Sequence, residues 1–337
     1  MGSVIPLKKE IDNSYIELKK LVKDKLDQVN QRIKYKLASE INLIHKITNY
    51  HLKSGGKRIR PLLTLGSAKL CGYAEGDRDV NLAACVELIH NATLLHDDVI
   101  DNSDLRRGIK TPNVIWGNQS SILVGDYLLS RCFEMMVEDG SQEVLKLLSS
   151  TSSKIAQGEV SQLEYKGEID MLEETYFKII NSKTAALFAA ATRVGACITN
   201  KNRKEKDALE SYGRNLGLAF QIADDALDYY STNKIFGKEI GKDFYEGKVT
   251  LPAIFLHQKA NLSERIFLEK IFKKKNRSEK EFIQMQNLIK KYDSISDCFK
   301  RAEHFVNISY NALNTFNPSK EKSILQNLTS FSLERSF

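Results

Sequence analysis

The 337-residue chain is poor in the residues that interrupt helices, with only 5 prolines and 18 glycines. This scarcity argues against a loop-rich β architecture and favours long helices. Alternating strand patterns, linkers and low-complexity segments are also missing, while the hydrophobic content of 42% supports a sizeable core. We therefore predict an all-α helical bundle that forms a single domain over residues 1–337, with N-terminal helices in 1–49, a motif-bearing part in about 50–255 and C-terminal helices in 256–337.

The 5 cysteines are too scattered for a disulfide framework or a zinc site, because no CxxC pair is present. No apolar run is long enough to cross a bilayer, and the N-terminus lacks the apolar segment of a signal peptide. These absences predict a soluble cytoplasmic protein whose cysteines are reduced. The formal net charge of +7 is modest, and no stretch concentrates basic and aromatic residues as nucleic-acid binding requires. The basic excess fits small anionic substrates instead.

Three carboxylates follow an apolar run that predicts a helix over Asn81–Ile100: Asp97, Asp98 and Asp101. Positions i and i+4 share one helix face, so Asp97 and Asp101 would project side by side and repel each other without a cation. A few hard oxygen ligands suit Mg²⁺ bridged to a phosphate. Taken alone the cluster is weak evidence, since aspartate pairs also cap helices and line solvated faces.

The same spacing recurs at Asp224, Asp225 and Asp228, within a second apolar helical run predicted over Asp207–Asp228. Buried or half-buried carboxylates in such numbers are unfavourable unless metal ions or bases compensate them. The two clusters therefore predict facing acidic walls that hold a diphosphate through Mg²⁺.

Basic residues occupy two short segments near the first cluster. Lys57 and Arg60 stand between a Gly-Gly pair and Pro61, a pattern that predicts the N-terminus of a helix, where anions are favoured. This segment is interpreted either as a phosphate-binding site or as a solvated basic turn. Arg106 and Arg107 lie in a predicted loop and are suited to bidentate phosphate contacts.

Apolar spacing predicts further helices: one or two over Ile11–Asn49, and one each over Leu62–Leu70, Ser120–Glu138, Val144–Lys166 and Glu173–Ile198, with another beginning at Val249. The segments Asp104–Gly108 and Phe236–Lys248 are predicted loops.

In their order along the chain, these motifs resemble those of the trans-type, all-α polyprenyl diphosphate synthases. The matching segments, over about residues 50–255, are Gly56–Arg60, His90 with Asp97–Asp101, Arg106–Arg107, Lys183–Thr184, Gln221 with Asp224–Asp228, and Gly247–Pro252. The segment Glu87–Asp98 looks most like the octaprenyl and related long-chain synthases that make quinone side chains, ubiquinone among them. The resemblance implies an isoprenoid-synthase bundle with a central cavity between two Asp-rich helices. It also implies repeated condensation of isopentenyl diphosphate onto an allylic diphosphate, with farnesyl diphosphate as the expected primer.

The resemblance further implies a role for each matching residue. Asp97 and Asp101 would hold two Mg²⁺ ions on the allylic diphosphate, and Asp224, with Asp228 through water, a third. Asp98 and Asp225 would support these ligands, and the Thr184 hydroxyl and the Gln221 carbonyl would shield the carbocation. The diphosphate contacts are Arg106, Lys183, Gln221, Lys238 and Lys248 for the allylic substrate, and Lys57, Arg60, His90 and Arg107 for isopentenyl diphosphate. Lys238 is carried over by spacing alone. A homodimer is implied, with peripheral membrane contact only to release the product.

Product length depends on what lies along the helix below Asp97. Ala92 and Thr93 are small, which leaves the path open and, by the resemblance, favours a long product such as octaprenyl diphosphate. Candidates for the floor of the path lie on the next helix: Phe133, Met135 and Met136. Ordinary core packing explains each of these side chains equally well.

Three other functions fit parts of the sequence. A terpene cyclase of the same fold generally lacks a second Asp-rich cluster and the isopentenyl-binding Lys57 and Arg60. A di-iron bundle needs two Glu-x-x-His motifs, and only Glu87–His90 is present. A non-catalytic subunit of a heteromeric synthase would be expected to have lost aspartates that both clusters here retain. The sequence therefore favours the catalytic synthase.

Overall fold

The computed structural model describes residues 8–230 and 240–332. The described residues form seventeen α-helices. The first ten are α1 (Lys8–Leu21), α2 (Lys23–Lys36), α3 (Asn42–Lys53), α4 (Ile59–Leu70), α5 (Arg78–Ile100), α6 (Pro112–Trp116), α7 (Asn118–Asp139), α8 (Gln142–Glu164), α9 (Glu173–Ile180) and α10 (Ala186–Ile198). The others are α11 (Arg203–Tyr230), α12 (Lys242–Glu246), α13 (Leu251–Lys259), α14 (Leu262–Phe272), α15 (Glu279–Lys291), α16 (Ser294–Ala312) and α17 (Lys320–Asn327). A π-helical segment (Asn181–Ala185) connects α9 to α10, and 3₁₀ turns occur at Leu313–Thr315 and Ser330–Ser332. The all-α prediction is confirmed.

Two buried apolar clusters hold the bundle together. The first lies mainly among α1, α2, α4, α5, α7 and α10, and the second mainly among α9, α11, α13, α15 and α16. Helix α11 belongs to both, because Leu216 is buried in the first cluster and Ile222 in the second. It packs against α10 on one side and α16 on the other. Among the described helices, none combines the length and apolar character needed to cross a bilayer.

The N-terminal segment differs from the prediction of one or two helices, because α1, α2 and the start of α3 all lie in it. The chain turns at Val22, whose φ is −121°. Leu18, Val22 and Leu26 are nevertheless all buried, so the apolar spacing continues across the break and conceals it. The prediction of one helix over Glu173–Ile198 is also incomplete, since the π-helical segment interrupts it.

The predicted loop after the first aspartate cluster contains an antiparallel hairpin of β1 (Leu105–Arg106) and β2 (Ile109–Lys110). Its turn residues, Arg107 and Gly108, have φ values of 54° and 80°, as a type I′ turn requires. A left-handed arginine is uncommon, and such conformations often occur at functional sites. The paired arginines therefore lie on a hydrogen-bonded element and not on an irregular loop.

Two glycines allow the helices around the π-helical segment to approach closely. A Cβ on Gly158 of α8 would lie 2.6 Å from the backbone nitrogen of Lys183, and one on Gly217 of α11 would lie 2.7 Å from Cα of Ala185. Real Cβ atoms do not approach so closely, so a side chain at either position would push the helices apart. The π-helical segment is thus fixed between α8 and α11.

Candidate active site

Both aspartate clusters lie at helix ends that one short segment connects. Asp101 is the C-cap residue of α5, and its Oδ2 lies 2.9 Å from Nζ of Lys248, which follows α12. The ammonium of Lys242, at the start of α12, donates a hydrogen bond to Oγ of Ser103, with Nζ and Oγ 2.6 Å apart. Burial raises the pKa of Asp101, but the Lys248 ammonium outweighs this effect, so the pKa lies below its usual value. The segment 242–248 therefore supplies positive charge to the first cluster.

Asp228, at the end of α11, fixes the other side of the same segment. Its two carboxylate oxygens accept hydrogen bonds from the backbone N–H groups of Lys242, at 3.2 Å, and Asp243, at 2.9 Å. The first N–H groups of a helix have no partner within the helix, and a carboxylate satisfies them well. Asp228 thus joins the second cluster to α12, whose own side chains reach the first.

Asp98, the middle aspartate of the first cluster, is fully buried. Its Oδ1 accepts a 2.8 Å hydrogen bond from Nε of Arg106, and Nη2 of the same guanidinium lies 2.7 Å from that oxygen as an ion pair. Burial raises the pKa of Asp98, and the hydrogen bond and charge of Arg106 oppose that rise. Asp98 therefore fixes the orientation of the first hairpin arginine.

Lys183 lies in the π-helical segment, and two side chains of α8 bind its ammonium. Glu159 Oε2 is 2.7 Å and Gln162 Oε1 is 2.9 Å from Nζ. Burial and the nearby Asp97 carboxylate raise the pKa of Glu159 to about 7, against the effect of Lys183. This influence of Asp97 places α8 beside the first cluster. No local pattern assigns a role to Glu159 or Gln162, and only the folded structure brings them to Lys183.

Thr184, the next residue, begins a hydrogen-bonded chain that crosses to α11. Its hydroxyl donates to Gln221 Oε1 at 2.8 Å, and Gln221 Nε2 donates to Asp225 Oδ1 at 2.7 Å. Asp225 Oδ2 accepts a 2.7 Å hydrogen bond from the Tyr176 hydroxyl of α9. Burial and the nearby Asp243 raise the pKa of Asp225 to about 8, although both donated hydrogen bonds favour its charged form. Three predicted site residues are thus joined in one chain, which ends at a tyrosine that the sequence analysis did not identify.

The two basic segments meet in space, as the predicted anion site requires. A Cβ on Gly56 would lie 2.8 Å from Nη1 of Arg107, so the glycine loop and the hairpin turn are in contact. The Arg60 guanidinium lies 4.6 Å from the centre of the Phe188 ring, and its buried Nε has no hydrogen-bond partner among the described residues. Burial, then Arg60 and the hairpin arginines, hold the pKa of His90 well below its usual value. His90 is therefore a neutral imidazole among cations.

His51 of α3 is a further member of this basic cluster that the sequence did not reveal. It is 4% exposed, and burial together with Arg106, Arg107 and Arg58 lowers its pKa to about 3. Its buried Nε2 finds no hydrogen-bond partner in the part of the chain that the structure describes. A single histidine on an amphipathic helix gives no local signal of this environment. Arg58, by contrast, forms an ion pair with the buried Glu87 and so stabilises the start of α4.

The described residues at the two chain ends hold the backbone around Lys57. The Tyr15 hydroxyl donates to the Lys57 carbonyl at 3.0 Å, and the Tyr15 ring stacks on Phe331 with centroids 5.6 Å apart. The Lys57 ammonium lies 4.5 Å from the centre of the same Phe331 ring. α1 and the C-terminal 3₁₀ turn thus position the exposed lysine of the glycine loop.

Comparison with known proteins agrees with this geometry. Residues 41–289 match the polyprenyl synthetase family. The chain belongs to the polyprenyl synthetase family. The octaprenyl diphosphate synthase of Escherichia coli K12 is 46% identical over 226 residues, covering 67% of this chain and 70% of that protein. The octaprenyl diphosphate synthase of Haemophilus influenzae is 34% identical over 98% of this chain and 100% of that protein.

A solved structure gives the same result for the fold. The polyprenyl synthase from Caulobacter crescentus, crystallised with calcium and isoprenyl diphosphate, superimposes with a TM-score of 0.92 at 38% identity. The alignment covers 96% of this chain and 98% of that one. The predicted isoprenoid-synthase fold and the predicted prenyltransferase class are therefore confirmed.

Polyprenyl synthetases use Mg²⁺, and the side chains present here fit such an ion. In residues 8–230 and 240–332, no three His, Cys, Asp or Glu side chains converge on one point as in a closed metal site. The donors are instead aspartates in two separate clusters, with Lys248 against Asp101. Mg²⁺ binds through one or two carboxylates plus water and substrate phosphates, so a small number of protein oxygens is what it needs.

The residues predicted to limit product length have different environments. Helices α5 and α7 run antiparallel, since Cys132 Sγ lies 3.4 Å from the Cys85 carbonyl and Ser121 donates to the Leu95 carbonyl at 3.0 Å. Met136 is fully buried, and this register places it about 24 Å along α5 from Asp97 at 1.5 Å per residue.

Phe133 does not share this position. Its side chain is 40% exposed on the outer side of α7, which argues against it as the floor within one chain. Ala92 is buried and Thr93 half-buried on α5, as a path along that helix requires. Lys238, the allylic-diphosphate contact predicted by spacing, lies outside the described residues.

Proposed function

We propose that this prenyltransferase condenses isopentenyl diphosphate repeatedly onto farnesyl diphosphate and releases all-trans octaprenyl diphosphate for quinone side chains. The observation that carries the proposal is the arrangement of charge: two aspartate clusters joined by the segment 242–248, whose Lys248 contacts Asp101, with a separate basic cluster at the hairpin turn. A condensation of two diphosphate substrates needs one diphosphate bound through Mg²⁺ and a second bound by basic side chains alone.

The allylic diphosphate is assigned to the side that carries the aspartates. Asp97 and Asp101 would hold two of three Mg²⁺ ions, and Asp224 would hold the third. Asp228 would contribute through water, because both of its oxygens already accept backbone amides. The protein cations on the same diphosphate are Arg106, Lys183 and Lys248, with Gln221 as a neutral donor.

The diphosphate of isopentenyl diphosphate is assigned to the basic cluster. Lys57, Arg60, His90 and Arg107 bind it, and the structure adds His51 to this group. A neutral imidazole donates one N–H to an anion without adding another charge to crowded arginines. Nε of Arg60 and Nε2 of His51, which find no partner among the described residues, support an anionic ligand at this place.

The chemistry follows from these charges. When bound, Mg²⁺ neutralises the diphosphate and so favours cleavage of the allylic C–O bond. Lys183, Lys248 and Arg106 stabilise the negative charge that develops on the leaving diphosphate. The oxygen of Thr184 shields the allylic cation without forming a bond to it. The double bond of isopentenyl diphosphate attacks that cation, and the released diphosphate accepts the proton that is lost.

Product analysis tests the reaction directly. Purified protein is incubated with Mg²⁺, farnesyl diphosphate and labelled isopentenyl diphosphate, and the dephosphorylated chains are sized. We expect one long polyprenol from the wild type, and none from D97A or D224A. The exposed Asp170 provides the matched control, since D170A removes a carboxylate away from both clusters.

The two alternatives give different results in the same assay. A cyclase would consume farnesyl diphosphate without incorporating label. A non-catalytic subunit would bind diphosphate and turn over neither substrate, and activity would then appear only on addition of a second protein.

We further propose that two copies of the chain associate through the outer faces of α7 and α8. Large apolar side chains are exposed there: Leu123 is 67%, Val137 65% and Val160 65% accessible to solvent. A second copy would also cover Phe133. We expect light scattering to give twice the chain mass, and L123E/V137E to give a monomer. Wild-type protein that elutes as a monomer at micromolar concentration would contradict this.

A further inference from the structure

We infer that Tyr176 of α9 is a positioning residue that keeps the lone pairs of the Thr184 hydroxyl, and not its hydrogen, directed at the reacting carbon. Tyr176 acts through Asp225 and Gln221, and the inference rests on the proposed function. It assigns a task to a tyrosine and an aspartate that bind neither diphosphate in the mechanism above.

The direction of each hydrogen bond follows from the carboxylate. Both oxygens of Asp225 face donors, the Tyr176 hydroxyl at 2.7 Å and the Gln221 amide at 2.7 Å. Gln221 Nε2 faces Asp225 Oδ1, so the amide donates and the carboxylate oxygen accepts. The same orientation leaves the Gln221 oxygen on the side of Thr184.

The orientation of Gln221 then decides that of Thr184. With Nε2 directed at Asp225, the Gln221 oxygen lies 2.8 Å from Thr184 Oγ1 and accepts its hydrogen. The Thr184 hydroxyl therefore donates its hydrogen to Gln221, and it can offer only oxygen lone pairs to any other neighbour. Lone pairs stabilise an adjacent carbocation, whereas a hydroxyl hydrogen directed at it would repel it. A reversed amide would force that unfavourable arrangement.

Burial makes this arrangement depend on Tyr176. Its side chain is 2% exposed, Asp225 4% and Thr184 7%, so water does not replace a missing partner easily. Buried polar networks are favourable only when every member is satisfied. Without the Tyr176 hydroxyl, Asp225 Oδ2 loses its donor, and the network loses the contact that holds the carboxylate in place.

Substitution of Tyr176 is the first test. We expect Y176F to lower kcat about tenfold, in line with loss of a hydrogen bond to a charged acceptor, while KM for both diphosphates stays within about twofold. Y212F is the matched control. Tyr212 is equally buried and donates its hydroxyl at 2.7 Å to the Leu325 carbonyl, outside the site, so its loss should leave kcat unchanged.

An exchange of the amide and the carboxylate between positions 221 and 225 is the second test. Q221E alone places two carboxylates against each other and should lower kcat strongly. In Q221E/D225N the carboxylate is at position 221 and the amide is at position 225. The amide nitrogen donates to the carboxylate, and the amide oxygen still accepts from Tyr176. The carboxylate still accepts from Thr184. We expect the double variant to recover about tenfold in kcat over Q221E, with KM for the allylic substrate raised equally in both.

Several results would overturn the inference. They are wild-type kcat in Y176F, an equal loss in Y212F, or a double variant no faster than Q221E. Failure of the proposed function looks different, since the wild type itself would then form no labelled polyprenyl product.

Discussion

Replacement of Lys248 by methionine tests how the first aspartate cluster balances its charge. Lys248 Nζ lies 2.9 Å from Asp101 Oδ2 and 2.8 Å from Glu246 Oε2. This ammonium and a divalent cation both require the Asp101 carboxylate, so we expect them to compete. K248M should therefore bind Mg²⁺ more tightly in the absence of substrate, although its kcat falls because a cation on the diphosphate is lost.

The magnitude follows from the geometry. At 2.9 Å two unit charges attract by about 6 kcal/mol in an effective dielectric constant of roughly 20. The Lys248 and Asp101 side chains are each 16% exposed, so hydration of the separated charges cancels most of this. A net competition of about 1–2 kcal/mol corresponds to roughly a 5- to 30-fold lower Kd for Mg²⁺.

The pH dependence of this difference has a defined sign. The raised pKa of Lys248 keeps its charge at alkaline pH, and the lowered pKa of Asp101 keeps the carboxylate charged into the acidic range. The gain in Mg²⁺ affinity of K248M over the wild type should therefore be constant around neutral pH and vanish as pH falls through the pKa of Asp101.

Titration calorimetry of the substrate-free protein with Mg²⁺ measures the effect. K178M is the control, since Lys178 forms a 2.7 Å pair with Glu174 on the surface, where the two side chains are 72% and 75% exposed. It should leave Mg²⁺ affinity unchanged. An affinity in K248M that equals or falls below that of the wild type would refute the competition.

Four further substitutions have defined outcomes. D98A leaves the half-buried Arg106 guanidinium without its carboxylate partner and should lower the free energy of unfolding in urea by about 2 kcal/mol, whereas D98N should lose less. Because the pKa of His51 is lowered to about 3, the free energy of unfolding falls as pH drops from 6.5 towards 3, by up to about 1.4 kcal/mol per pH unit. H51N should lack this dependence in acid-unfolding curves. A92F should shorten the product seen by chromatography, because the Ala92 side chain is already buried; an unchanged length would place the path elsewhere. G158A forces a methyl group into the π-helical segment and should abolish activity in the product assay, whereas full activity would show that the segment adapts.

Much of the proposed site is visible in the sequence because its chemistry repeats along the chain. Two aspartates four residues apart share a helix face wherever that helix lies, so both clusters were visible as local patterns. Lys57 and Arg60 were identified for the same reason, since glycines and a proline mark a helix start without reference to the rest of the fold. The helices themselves follow from apolar spacing, which reports burial on one side.

The sequence says less about which way a single side chain on a predicted helix faces. Phe133 has the apolar character of a floor residue, yet its side chain is 40% exposed on the outer side of α7. Sequence spacing reveals which residues share a face, but the direction of that face depends on the neighbours of the helix. The break at Val22 was hidden for a related reason, because the buried side continues across it.

The sequence by itself determined the fold class, the two acidic clusters and the basic segments, because each depends on residues within one or two helical turns. Only the tertiary structure decided which groups meet. Lys248 is 147 residues from Asp101, and Tyr176 is 49 residues from Asp225. His51 becomes a neutral member of the basic cluster only because α3 packs beside the hairpin arginines. Such contacts follow from how helices pack against each other, and no local pattern of residues encodes them.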